Sequence, residues 1–124
     1  MTRLIALFVL IALTLGFGAA VDAGSKDGPR RWTKTIKKTS EVVYKIVFTV
    51  GNNPATKFAE FSVIGDGGTD VDIEVYDSKG KLIVSDIELT DLAFVRWIPT
   101  ATQEYTIKVK NLGADDNTCH IGHN

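Results

Sequence analysis

From about residue 40 onward the chain alternates apolar and polar residues with a period of two, in short runs separated by turn-forming clusters. The clearest run is 70–76. There Val71, Ile73 and Val75 fall on one side, and Asp70, Asp72 and Glu74 on the other. A period of two puts successive side chains on opposite faces of a strand, whereas a helix needs a period near 3.6. After residue 24 no segment carries a helical stripe of useful length.

The remaining runs repeat the pattern. Tyr44, Ile46, Phe48 and Val50 share a face in 43–50, and Ala59, Phe61 and Val63 in 57–64. Ala93, Val95 and Trp97 share one in 92–98, Tyr105, Ile107 and Val109 in 104–110, and Cys119 and Ile121 in 118–123. Gly51-Asn52-Asn53-Pro54 and Gly65-Asp66-Gly67-Gly68 break the chain between runs, as does Pro99. Asp77-Ser78-Lys79-Gly80 fits a type I turn, with residues 81–84 returning as the second strand of a hairpin. Short strands at turn-separated spacing predict an all-β fold: an antiparallel β-sandwich of seven to eight strands, its inward residues filling the gap between two sheets.

The first residues have another character. Met1-Thr2-Arg3 is a short positive start, residues 4–15 are apolar but for Thr14, and Gly16-Phe17-Gly18-Ala19-Ala20 supplies small side chains. That order is the pattern of a secretory signal peptide, with cleavage after Ala20 or after Ala23. An uncleaved anchor is the competing reading, since residues 4–21 approach the minimum spanning length. No cysteine lies near the cleavage region, which argues against a lipid anchor. The expected organisation is a signal peptide over 1–23, a basic leader over 24–40 and a sandwich over 41–124. The expected location is secreted or periplasmic, with no membrane association after cleavage.

With 124 residues there is room for one domain, and a formal net charge of -1 offers no global attraction to nucleic acid or anionic lipid. The single cysteine, Cys119, leaves the domain without an internal disulfide and reads as a small buried hydrophobe. Stability must then come from the apolar core. The leader carries Lys26, Arg30, Arg31, Lys34, Lys37 and Lys38 against Asp27, with an edge strand expected near Trp32. Three roles fit it: contact with an acidic polymer, rest against the acidic hairpin surface, or simple solvation of the start of the fold.

Two constellations invite chemistry. Asp66, Asp70, Asp72, Asp77, Asp86 and Asp91 fall where positive charges are few. Calcium takes six to eight oxygen ligands, so Asp66, Asp70, Asp72, Asp86 and Asp91 are candidate metal ligands; no other cofactor is indicated. Asp70 and Asp72 lie on one strand face, about 6.6 Å apart along it. The competing reading is a solvated outer face with turn-forming aspartates. The second constellation is Cys119, His120 and His123. In a strand Cys119 and His120 point to opposite faces, and Cys119 and His123 sit about 13 Å apart, too far for a base to reach its nucleophile. No serine-nucleophile signature is present either, and paired carboxylates for glycoside hydrolysis normally need a larger cleft than this chain provides. Tyr76 falls on the outer face of its strand, where an aromatic could contact a sugar or peptide. The chain therefore reads as non-enzymatic.

Several of these segments together resemble the bacterial pre-peptidase C-terminal domain. They are the Gly65-Asp66-Gly67 turn and the Thr69-Asp70-Val71-Asp72-Ile73-Glu74-Val75-Tyr76-Asp77-Ser78-Lys79-Gly80-Lys81-Leu82 hairpin, followed by Ser85-Asp86. Val95-Arg96-Trp97-Ile98-Pro99, Tyr105-Thr106-Ile107-Lys108-Val109-Lys110-Asn111 and the terminal run from Asn117 complete the series. Gln103 and Cys119 depart from the family pattern, which has a glycine and an aromatic near those places. The resemblance implies a jelly-roll-like sandwich that accompanies secreted hydrolases without being catalytic, and some members bind calcium or polymeric substrates. The expected function is a secreted binding module for a protein or polysaccharide at the cell envelope or outside. A calcium-stabilised structural envelope or matrix protein is the alternative, and a small hydrolase the remote one.

Overall fold

The alternating runs become strands, and their apolar sides become one core. The computed structural model describes residues 21–68 and 70–124; residues 1–20, on which most of the expected signal peptide falls, and Thr69 lie outside them. The described residues form nine strands: β1 (Gly24–Ser25), β2 (Arg30–Ile36), β3 (Ser40–Thr49), β4 (Ala59–Ile64), β5 (Val71–Tyr76), β6 (Leu82–Asp86), β7 (Leu92–Trp97), β8 (Gln103–Asn111) and β9 (Asn117–His123). One sheet has the order β1-β3-β8-β5-β6 and the other β2-β9-β4-β7, with every pairing antiparallel. From β2 onward successive strands alternate between the sheets, save for the β5–β6 hairpin, in the manner of a jelly roll.

Every inward residue anticipated for β4, β5, β7, β8 and β9 is buried, and Phe48 at the end of β3 joins them. Phe61, Val63, Ile73, Val75, Ile107 and Val109 are wholly enclosed. The hairpin turn closes as expected: Asp77 Oδ1 accepts from Lys79 N and Lys81 N, each at 2.9 Å, and Gly80 takes a positive φ of 82°.

Residues 24–40 are not a leader outside the sandwich. Gly24 and Ser25 pair with Thr49 and Phe48, and all of β2 pairs with β9, from Arg30 opposite His123 to Ile36 opposite Asn117. The edge strand expected near Trp32 is therefore β2 itself. The charge density of this stretch masks its alternation: Trp32 packs against the core and Ile36 is buried, while the residues around them are exposed. Thr39, with a φ of 51°, turns β2 back into β3 across the two sheets.

Candidate binding groove

The two sides of the sandwich differ. On the β6–β7 side a side chain joins the sheets: Asp86 Oδ2 accepts from Phe94 N of β7 at 2.9 Å. On the other side the sheets meet through the Trp32 and Tyr44 side chains. β3 pairs with β8 from Ser40 to Phe48, but its opposite edge meets β1 only at Phe48 and Thr49. Facing it, β2 pairs, among the described residues, with β9 alone. Between these two edges lies an open groove of about 880 Å³.

Four cations, Lys26, Arg30, Lys34 and Lys45, line the groove against one carboxylate, Asp27. All five of these residues are exposed. The floor is aromatic. Trp32 Nε1 donates to Tyr44 Oη at 3.1 Å, and the two rings meet edge to face with centroids 5.1 Å apart. Arg30 stands over the Trp32 ring at 5.6 Å. His123 closes the inner wall, stacked on Phe61 at 6.2 Å and edge-on to Trp32 at 5.8 Å. Burial holds its imidazole below the usual histidine pKa, partly opposed by the contact of Nδ1 with Asn124 O at 2.7 Å. His123 is a wall of the aromatic cluster. The groove offers positive charge, flat rings and two open strand edges. Such edges are templates for a further strand, and lysines along them disfavour any incoming strand that lacks acidic residues.

Cys119 and His120 face opposite ways, as the strand period requires. Cys119 is enclosed, and its thiol is pushed up to about 11 by burial, with Asp91 and Asp66 adding to the shift. His120 lies outside, its Nδ1 3.3 Å from Thr33 Oγ1. No thiol–imidazole pair forms between them.

The aspartates separate by role. Asp91 Oδ1 accepts from Asn117 Nδ2 at 2.7 Å, and its Oδ2 accepts from Gly67 N. Asp66 Oδ2 accepts from Thr118 N at 2.9 Å. These two pin the loop after β4 to the start of β9, and a Cβ on Gly65 would overlap the Asp91 carboxylate. Asp86 Oδ1 accepts from Glu88 N at 3.2 Å. Among the described residues, no group of three or more His, Cys, Asp or Glu side chains is arranged to hold a metal ion.

Asp70 and Asp72 differ from the others. The sequence pattern puts Asp72 on a solvated outer face, but it is only 6% exposed. β5 has a neighbouring strand on each side, β8 and β6, so its outward residues do not stand at an edge. The Oδ1 atoms of Asp70 and Asp72 are buried without a hydrogen-bond partner. Burial first, and then the Asp70 carboxylate, raise Asp72 to about 6. A carboxyl raised on folding stabilises the fold when protonated; that contribution is complete below about pH 4 and is lost as the pH rises through 6. Denaturant titrations should show wild type losing stability relative to Asp72→Asn between pH 4 and 6.5; parallel pH curves would contradict this. Next along the same face, Glu74 is compensated by Lys110 Nζ at 3.1 Å and by Tyr76 Oη at 2.7 Å. Tyr76, read as an exposed contact, is half-buried with its hydroxyl engaged and Lys108 over its ring at 5.1 Å.

Sequence reasoning singles out the basic residues of β2 and Trp32 but reads Tyr44 and Lys45 only as parts of a strand. No local signal marks them, because their role depends on which strand faces them.

No family model matches the chain, and no curated protein matches it. Among solved structures it is similar to PliG of Aeromonas hydrophila, described as a periplasmic lysozyme inhibitor of g-type lysozyme. The TM-score is 0.50 at 11% identity, covering 77% of this chain and 86% of that one, a likeness of fold.

Proposed function

We propose that this protein is an exported, non-catalytic binding module that takes an acidic, extended segment of a partner protein into the groove between β2 and β3. The observation that carries the reading is the open side itself, with four cations, one carboxylate and an aromatic floor between two open strand edges. An acidic strand would gain main-chain hydrogen bonds along an edge and Coulombic attraction from Lys34 and Lys45. The solved protein of similar fold is described as an inhibitor of an enzyme, which supports a protein partner over a polysaccharide. The resemblance of residues 65–124 to the pre-peptidase C-terminal domain supports a non-catalytic role in an exported setting.

Calorimetric titration of the purified protein tests the reading. A peptide alternating glutamate and valine should bind and weaken as salt is raised, while a lysine–valine peptide should not. Equal behaviour of the two peptides removes the proposal. Adding the protein to a g-type lysozyme assay tests whether that enzyme class is the partner.

Cleavage after Ala20 is favoured over cleavage after Ala23 by the contacts of the residues between them. Val21 N donates to Asn52 Oδ1 at 2.6 Å, Asn52 N donates to Val21 O at 2.9 Å, and Ala23 N donates to Thr56 O at 2.8 Å. Thr56 Oγ1 also donates to Asp22 Oδ1. Removing residues 21–23 would strip these bonds from the domain. Mass spectrometry of the exported protein should give Val21 as the first residue; a chain starting at Gly24 would contradict this.

A further inference from the structure

We propose that the open edge of β3 pairs with the same edge of a second copy of this chain, joining the two five-stranded sheets about a twofold axis at Val43. β1 covers that edge only at its end: Gly24 and Ser25 pair with Thr49 and Phe48, and Lys26 N donates to Val47 O at 2.8 Å. From Glu41 to Ile46, among the described residues, β3 has a paired neighbour on the β8 side alone. The Val47 carbonyl shows which backbone groups face outward. The N–H and C=O of one residue point the same way in a strand, and the direction alternates along it. The β3–β8 register is unbroken from Ser40 to Phe48. Glu41, Val43 and Lys45 therefore turn their N–H and C=O groups to the open edge, as Val47 does.

These three positions are self-complementary. In an antiparallel pair centred on Val43, each Glu41 lies opposite the partner's Lys45, and Val43 lies opposite the partner's Val43. Each pair is of the kind that exchanges both main-chain bonds, about six bonds in all. All three side chains are exposed on the outer face of the sheet, Val43 by 47%. Lys110 of β8 stands opposite Glu41, yet its ammonium goes to Glu74 at 3.1 Å, and Lys45 stands opposite Thr106. Among the described residues, neither Glu41 nor Lys45 belongs to an ion pair. Opposite charges directly across two strands stabilise the pairing, and like charges oppose it. Moving the axis one residue either way sets Glu41 against Val43 or Val47 and leaves both charge pairs unmade, so the charges select the register. A twofold contact uses the same patch on both copies and closes at two. The pairing needs only the β3 edge and does not depend on the groove taking an acidic peptide.

The test is sedimentation equilibrium of the purified mature protein, carried to millimolar concentration. Wild type should pass from the mass of one copy toward that of two. Glu41→Lys alone sets lysine against lysine at both charge pairs, and Lys45→Glu alone sets glutamate against glutamate. Each should weaken association by about tenfold or more. An equimolar mixture of the two variants should recover it, because every charge pair then joins a lysine to a glutamate; the recovery also shows that both variants fold. A wild type that stays a single copy overturns the proposal, while acidic-peptide binding by that single copy would leave the function proposed above standing. Single variants that associate as wild type does overturn it by placing the contact on another surface. A mixture that associates no better than its components overturns it by removing the register.

Discussion

Replacing Phe61 with alanine should lower the unfolding free energy by about 3–5 kcal/mol, the usual cost of emptying a buried aromatic site. Phe61 is wholly buried in the middle of β4. Its ring is shared by both sheets: it lies 6.2 Å from Trp32 of β2, 6.3 Å from Tyr44 of β3 and 6.2 Å from His123 of β9. Loss of the ring removes apolar burial and the aromatic contacts together. Domains of this size are stable by only about 5–15 kcal/mol, so the variant should sit near the edge of folding at 37 °C. Urea titration measures the change, and a loss under about 1 kcal/mol would show that the aromatic cluster is not a mechanical unit. The same substitution should alter Trp32 fluorescence, because Phe61 supports the groove floor from within.

The double variant Lys34→Glu, Lys45→Glu should weaken binding of the acidic peptide by about 10- to 100-fold and leave folding nearly intact. Both side chains are exposed, one on each edge of the groove. Surface substitutions of this kind usually move stability by about 0.5 kcal/mol or less. The groove charge, however, changes sign. Four cations against one carboxylate become two cations, Lys26 and Arg30, against Asp27 and the two introduced carboxylates. A charge of the wrong sign beside a docked strand repels it where the native lysine attracts it. The loss should shrink at high salt, where the screening length falls below the width of such a groove. Undiminished affinity in the double variant, with an unchanged melting curve, would move the binding site away from β2 and β3.

Much of the fold is legible in the amino-acid order. Val71, Ile73 and Val75 alternate with acids, and Gly65-Asp66-Gly67-Gly68 and Asp77-Ser78-Lys79-Gly80 break the chain on either side of them. That is sufficient to assign a strand and to choose its inward face. The same logic puts Cys119 and His120 on opposite faces of β9. It fails for residues 24–40, where lysine and arginine outnumber the apolar residues, and a half-buried edge strand looks like a solvated leader. It fails also at Asp72, where alternation correctly assigns the outward face but outward does not mean wet.

The side each residue takes in its own strand is set locally, because side-chain direction follows from the backbone period. Which strands become neighbours, and which edges stay open, was decided only by the tertiary structure. The jelly-roll order sends β2 and β3 into different sheets, leaves their edges facing one another, and brings Trp32 against Tyr44, with Lys34 and Lys45 lining the same groove. It also sets β5 between β8 and β6, where Asp70 and Asp72 lose water and find no donor. Both outcomes depend on contacts between segments far apart in the chain, and a local period carries no information about these.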